Sequence, residues 1–262
     1  MSEDKEITCL RLIQKSLGSI EGHTSFYGCS EKEIEYLKIA FLEAQRNNEP
    51  NEFPDLIFKN GFIEHFQVTS ANENRKGSQH LVTENTHDRE FRKQEEKELQ
   101  NLNEKGEMSN LYEEHSVVQH SHSNLLNSLK RNIENHLESL DKYQQEYITA
   151  VFFIQFTDGV LSMENVSKSL WENQSRNFLP YRASFDKDFL ELIQNYRDKI
   201  SYIIVAEDAD SNMAFPYDAN FEVFSLNNLN SNIEELKTKD YKVVTQNIKI
   251  VQRMNILSSG YE

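Results

Sequence analysis

Two carboxylates, Asp55 and Glu64, stand either side of an Asn60-Gly61 pair set between the apolar runs Leu56-Ile57-Phe58 and Phe62 to Thr69. Asn-Gly between two such runs is a strong short-range hairpin signal. A two-residue loop at Asn60-Gly61 pairs Lys59 with Phe62, Ile57 with Glu64 and Asp55 with Phe66. Side chains alternate along a strand, so Asp55, Glu64 and Phe66 share one face. Asp55 and Glu64 then become diagonal neighbours, about 7–8 Å apart between backbones. A four-residue loop that pairs Phe58 with Ile63 preserves this parity, and a one-residue slip destroys it. Two carboxylates converging on one face suit a hard, oxygen-seeking cation such as magnesium or manganese. Such an ion keeps several waters and can turn one into a nucleophile against a phosphodiester. The plainer alternative is that Asp55 only ends the loop after Pro54 and that Glu64 is solvated on a half-exposed strand. A Glu in a strand flanked by Ile63 and Phe66 still calls for a reason.

Other titratable residues read as structural. His65 and Gln67 fall on the opposite face of the same strand, where His65 is expected to be a buried, hydrogen-bonded core histidine. His115, His120 and His122 lie in a Ser/Asn-rich stretch without Cys, so their spacing reads as incidental rather than zinc-binding. Glu33 belongs to the capping box Ser30-Glu31-Lys32-Glu33, a structural role that competes with service as a third carboxylate. There is no phosphate-cradling glycine loop, serine nucleophile elbow or HExxH helix, and 8 glycines in the whole chain leave little material for one.

The elements that must position these residues follow from periodicity. The capping box opens a helix carried by Ile34, Leu37, Phe41 and Ala44 and expected to end near Asn47. Pro50 and Pro54 bracket an extended link to the hairpin. Residues 71–123 are polar and read as an insertion, mobile or helical, with an exposed helix from about His87 to Lys105. A long amphipathic helix follows, with Leu126, Leu129, Ile133, Leu137 and Leu140 on one face. It leads into Ile148 to Phe156, a run rich in β-branched and aromatic residues that reads as a buried strand. The stretch from Ser162 to Arg182 has no clear period. Beyond it, Phe185 to Tyr196 suggests a helix and Tyr202 to Ala206 and Phe221 to Leu226 suggest strands. A short helix near Ile233 to Leu236 and an extended tail around Val243 to Val251 complete the pass. The order predicts a single α/β domain with a mixed β-sheet flanked by helices.

Composition narrows the function classes. The chain of 262 residues holds 16 Phe and 11 Tyr, enough aromatic material for a core despite a mean hydropathy of −0.70. No run approaches the ~20 apolar residues of a membrane-spanning helix, and Met1 to Glu6 is acidic where a signal peptide is basic. The expected location is therefore the cytoplasm, with no membrane partner and with Cys9 and Cys29 as free thiols. A formal net charge of −15 argues against a nucleic-acid partner, because phosphate binding needs clustered Lys and Arg. Much of that charge is local, since Glu84 to Glu114 contains ten acidic residues against five basic.

Pro54-Asp55, a turn, and a strand bearing Glu64 resemble the PD-(D/E)XK, or restriction-endonuclease-like, nuclease superfamily. In that superfamily a first helix precedes an acidic hairpin and a later helix–strand unit completes the sheet. The resemblance spans roughly Ser30 to Phe156 around the polar insertion. It implies a restriction-endonuclease-like core, with Asp55 and Glu64 as catalytic residues and ligands of Mg or Mn. It also implies a lysine two residues after the acid. That position is Phe66, so Lys76, in Asn74-Arg75-Lys76-Gly77-Ser78, becomes the candidate catalytic lysine and Arg75 a phosphate-positioning residue. Two functions follow as expectations. One is a metal-dependent nuclease, an endodeoxyribonuclease acting on DNA. The other is a non-catalytic, degenerate nuclease fold that binds a basic protein partner through the acidic segment 84–114.

Overall fold

The computed structural model describes residues 5–18, 24–47, 53–71, 93, 96–97, 100, 110–115, 120–156, 161–166, 178–207, 220–229, 240–245 and 250–255. Two compact units emerge. One comprises residues 1–70 and 122–245, the other residues 71–121 and 246–262.

The larger unit is an α/β fold built on one mixed sheet. Its elements are α1 (Lys5–Gly18), β1 (Thr24–Tyr27), α2 (Glu31–Glu43), β2 (Gln45–Arg46), β3 (Leu56–Phe58) and β4 (Gly61–Val68). After the excursion into the smaller unit come α3 (His122–Leu140), β6 (Thr149–Phe156), β7 (Leu161–Asn165), β8 (Phe178–Pro180), α4 (Lys187–Gln194), β9 (Tyr202–Glu207), β10 (Asn220–Ser225) and β11 (Tyr241–Thr245). Seven strands form the main sheet in the order β1-β10-β9-β6-β4-β3-β2, and β11-β7-β8 form a small second one. Strands β2, β3 and β4 run as an antiparallel meander, after which α3 carries the chain over to β6, parallel to β4. Strand β6 is buried at all eight positions, as a central strand with parallel neighbours on both sides must be.

Alternation sorts the sheet's side chains into two cores. Leu56, Phe58, Ile63, Val151, Phe153 and Ile204 face α1 and α2, where Leu10, Ile13, Leu37 and Phe41 meet them. Phe62, Phe66, Phe152, Ile154 and Ile203 face α3 and α4, under Leu125, Leu129, Ile133, Leu137 and Ile193. Each of these large side chains contributes roughly 1.5–3 kcal/mol by leaving water. The leucine stripe of α3 is therefore the lid of the second core, as its helical spacing predicted.

Several expectations need revision. Helix α1 was not anticipated, although Ile7, Leu10, Ile13 and Leu17 recur on one face; Leu10 and Ile13 are buried, and Gln14 Nε2 ties α1 to the Phe41 carbonyl at 2.8 Å. Helix α2 begins at the Ser30 capping box but stops at Glu43, because Gln45 and Arg46 form β2 as the partner of β3. The unassigned stretch after Ser162 supplies β7 and β8. The expected helix near Ile233 to Leu236 lies outside the described residues.

The hairpin turn is also shifted. Phe58 pairs with Gly61 and Ile57 with Phe62, so Lys59 and Asn60 form the turn, with Asn60 at φ 67°. Gly61 belongs to the strand for reasons of space: a Cβ there would overlap the Phe58 ring and the Thr149 carbonyl. Asparagine accepts the left-handed conformation, leaving glycine for the close approach.

In the smaller unit β5 (Asn110–His115) pairs antiparallel with β12 (Ile250–Asn255), and Ala71 bridges His120. Lys93, Glu96, Lys97 and Gln100 are helical and exposed, in keeping with the solvated helix expected there.

Candidate functional site

The revised register changes how the two hairpin carboxylates meet. Leu56 pairs with Ile63, and one further step toward the open end sets Asp55 across from Glu64, where a diagonal relation was expected. The parity is unchanged, because the register moved by two. Each residue reaches the other's strand: the Asp55 N–H donates to Glu64 Oε2 at 3.0 Å, and the His65 N–H donates to Asp55 Oδ2 at 2.8 Å. These bonds hold the hairpin together where the short β3 has run out.

Glu64 is only 5% exposed. Its second oxygen, Oε1, lies 2.6 Å from His136 Nδ1 on α3. The His136 ring lies flat on Phe66, with centroids 4.8 Å apart and planes 15° from parallel, and meets Phe152 edge-on. Phe66 therefore packs against the only imidazole that reaches Glu64 among the described contacts. A buried carboxylate is costly unless both oxygens find donors, and Glu64 has found them. A cation seated on Glu64 Oε1 would have to displace the imidazole.

His136 is the residue that sequence reasoning passed over. The signal was available, because position 136 falls three residues after Ile133 and seven after Leu129, on the buried stripe of α3. His65 sits as expected on the other face of β4, buried and edge-on to Phe153. Beside it, Gln67 donates to Gln155 Oε1 at 2.8 Å across the parallel β4–β6 pair. Arg75 and Lys76 lie outside the described residues.

Glu33 does more than cap α2. Its Oε2 accepts from the Ser30 N–H and hydroxyl at 2.8 and 2.7 Å, while Oε1 accepts from Tyr202 Oη at 3.0 Å and Ser225 Oγ at 3.3 Å. Burial pushes its carboxyl up, but the donors at Ser30, Tyr202 and Ser225 outweigh that and hold it below its ordinary value. Burial, followed by the charge of Glu33, pushes the Cys29 thiol up to about 12, which leaves Cys29 a protonated, inert packing residue.

A second group of titratable residues collects at the start of α4. Asp186 caps that helix, with Oδ1 accepting from the Asp188 and Phe189 N–H groups at 3.1 and 3.2 Å. Its Oδ2 accepts from Tyr181 Oη at 2.6 Å and lies 2.6 Å from His122 Nε2 at the start of α3. Asp188 Oδ2 stands 3.9 Å from His122 Nδ1. Burial works against a charged His122, but its bond to Asp186, with the charges of Asp186 and Asp188, wins and raises its pKa. In the sequence the spacing of His115, His120 and His122 reads as incidental for want of a Cys or a firm helical scaffold. His122 stands at the start of α3, and its partners Asp186 and Asp188 are distant in sequence.

Comparison with family models, with curated proteins and with solved structures found no match to this chain.

Proposed function

We propose that the chain is a nuclease-like α/β scaffold working as a non-catalytic, acidic interaction module, with the Asp55–Glu64 position serving as a brace between the hairpin and α3. The observation that carries this reading is the state of Glu64. One oxygen is held by His136 Nδ1 at 2.6 Å and the other by the Asp55 N–H at 3.0 Å. Phe66 occupies the position where the nucleases it resembles carry a lysine, and its ring supports His136 rather than a phosphate. The net charge of −15, a third of it in the segment 84–114 with its ten acidic and five basic residues, suits a basic protein partner better than a nucleic acid.

A second reading has a specific observation in its favour. A helix, an antiparallel three-strand meander, a helix and a parallel strand follow one another from α2 to β6, and Asp55 stands directly across from Glu64. That arrangement favours an endodeoxyribonuclease dependent on Mg or Mn, with Asp55 and Glu64 as its carboxylates and Lys76 and Arg75 as its cations.

A cleavage assay separates the two. Purified chain is incubated with supercoiled DNA, single-stranded DNA and RNA, with Mg²⁺ or Mn²⁺ and with or without chelator, beside Asp55→Asn and Glu64→Gln. The expected result is no chelator-sensitive cleavage by any form. In parallel, a Lys/Arg-rich peptide should bind in a salt-dependent way that is lost when Glu95, Glu96 and Glu98 are neutralised. Cleavage by the wild type that disappears in both carboxylate variants replaces the proposal with the nuclease reading.

A further inference from the structure

His122, Asp186 and Asp188 bring one imidazole and two carboxylates together from two separate helix starts. One ligand atom from each lies within 4.8 Å of the others. The three differ in setting in the way a binding site needs. Asp186 is 2% exposed and immobilised, its Oδ1 by two backbone N–H groups and its Oδ2 by the Tyr181 hydroxyl. His122 is 22% exposed and Asp188 is 64% exposed, so both can adjust. A fixed carboxylate with outer hydrogen bonds, flanked by two adjustable ligands, is the construction that orients metal-binding groups.

The cluster also faces an opening. A cleft of about 260 Å³ is bordered by all three residues together with Phe185, Tyr241 and Lys242. Its wall is firm, since the Phe185 and Tyr241 rings stack at 4.7 Å and 13°.

We propose that His122, Asp186 and Asp188 bind a divalent transition-metal ion of the zinc or manganese kind, with its remaining coordination positions turned into this cleft. One imidazole and two carboxylates are a mixed nitrogen and oxygen set suited to such ions. The ion takes the place of the hydrogen bond between His122 Nε2 and Asp186 Oδ2, and the proton of that bond leaves to solvent. Ligands at about 2.1 Å stand about 3 Å apart at right angles and about 3.4 Å apart in tetrahedral zinc geometry, so the 2.6 Å pair opens by roughly 0.4–0.8 Å. The partly exposed imidazole supplies that movement, while Tyr181 keeps its bond to Asp186. The site is independent of Asp55 and Glu64 and of whether the chain cleaves anything.

The test uses the full chain stripped of metal with chelator, titrated with Zn²⁺ and separately with Mn²⁺ by calorimetry at neutral pH and followed by thermal melting. The expected result is one equivalent bound, with a rise in melting temperature. Affinity should fall at least tenfold in Asp188→Asn and in His122→Gln, both partly exposed and therefore expected to stay folded by circular dichroism. Glu64→Gln should bind like the wild type. Absence of binding to the wild type overturns the proposal, and so does binding that both site variants leave unchanged. Binding abolished by Glu64→Gln also overturns it, by placing the ion on the hairpin.

Discussion

Glu64 meets His136 and Asp186 meets His122 across the same 2.6 Å, yet the two carboxylates live in different surroundings. Glu64 projects from the middle of a central strand, closed in by Phe66, Phe152 and α3. Asp186 projects from a helix start whose neighbours include a second, exposed carboxylate and a cleft. Both histidines are partly exposed, His136 at 26% and His122 at 22%, so burial of the imidazole does not separate the pairs; the aromatic rings packed on His136 and the cleft beside His122 do. Pair distance alone does not distinguish the two; what lies beyond the pair does.

The comparison breaks most readily at Glu64. Glu64→Ala leaves the Asp55 N–H and His136 without their acceptor inside the second core, and is expected to cost about 2–4 kcal/mol of unfolding free energy. Urea denaturation measures it. A loss below about 1 kcal/mol would mean that Glu64 is not a brace, and the contrast with Asp186 would fall.

Asp186→Ala removes the α4 cap and the partner of both Tyr181 and His122, and should cost about 1–3 kcal/mol. Much of the α4 attachment survives through buried Phe189, Leu190 and Ile193. Comparing its denaturation midpoint with that of Glu64→Ala sharpens the distinction, and a larger cost at Asp186 would reverse it.

The smallest expected effect concerns Glu33, which lies at neither pair and serves as the reference. Its folded pKa is depressed, so its contribution is present above the unfolded Glu pKa and is lost as pH falls through the lower folded value. Melting temperature measured from about pH 6 down to about pH 3 should decline for the wild type, across the region around the unfolded Glu pKa of about 4.3. Glu33→Gln should start lower at pH 6 and show a shallower decline. An unchanged slope would mean that the Ser30, Tyr202 and Ser225 donors do not favour the ionised form.

Much of the architecture was written in local pattern. The Ser30 capping box, the leucine stripe of α3 and the apolar run of β6 depend on contacts a few residues apart or on burial alone, and each appears where its period put it. That Asp55 and Glu64 come together was legible for the same reason, and each carboxylate takes a backbone N–H of the other strand. What the sequence left open was the turn itself, because Lys59-Asn60 and Asn60-Gly61 both satisfy hairpin chemistry. Only the crowding of Gly61 by Phe58 and Thr149 chose between them. The partners of the carboxylates were likewise a tertiary matter. His136 reaches Glu64 only because α3 crosses β4, and His122 reaches Asp186 only because two helices begin side by side. Periodicity assigns a residue to a face, whereas packing between elements far apart in the chain decides which side chain stands opposite it there.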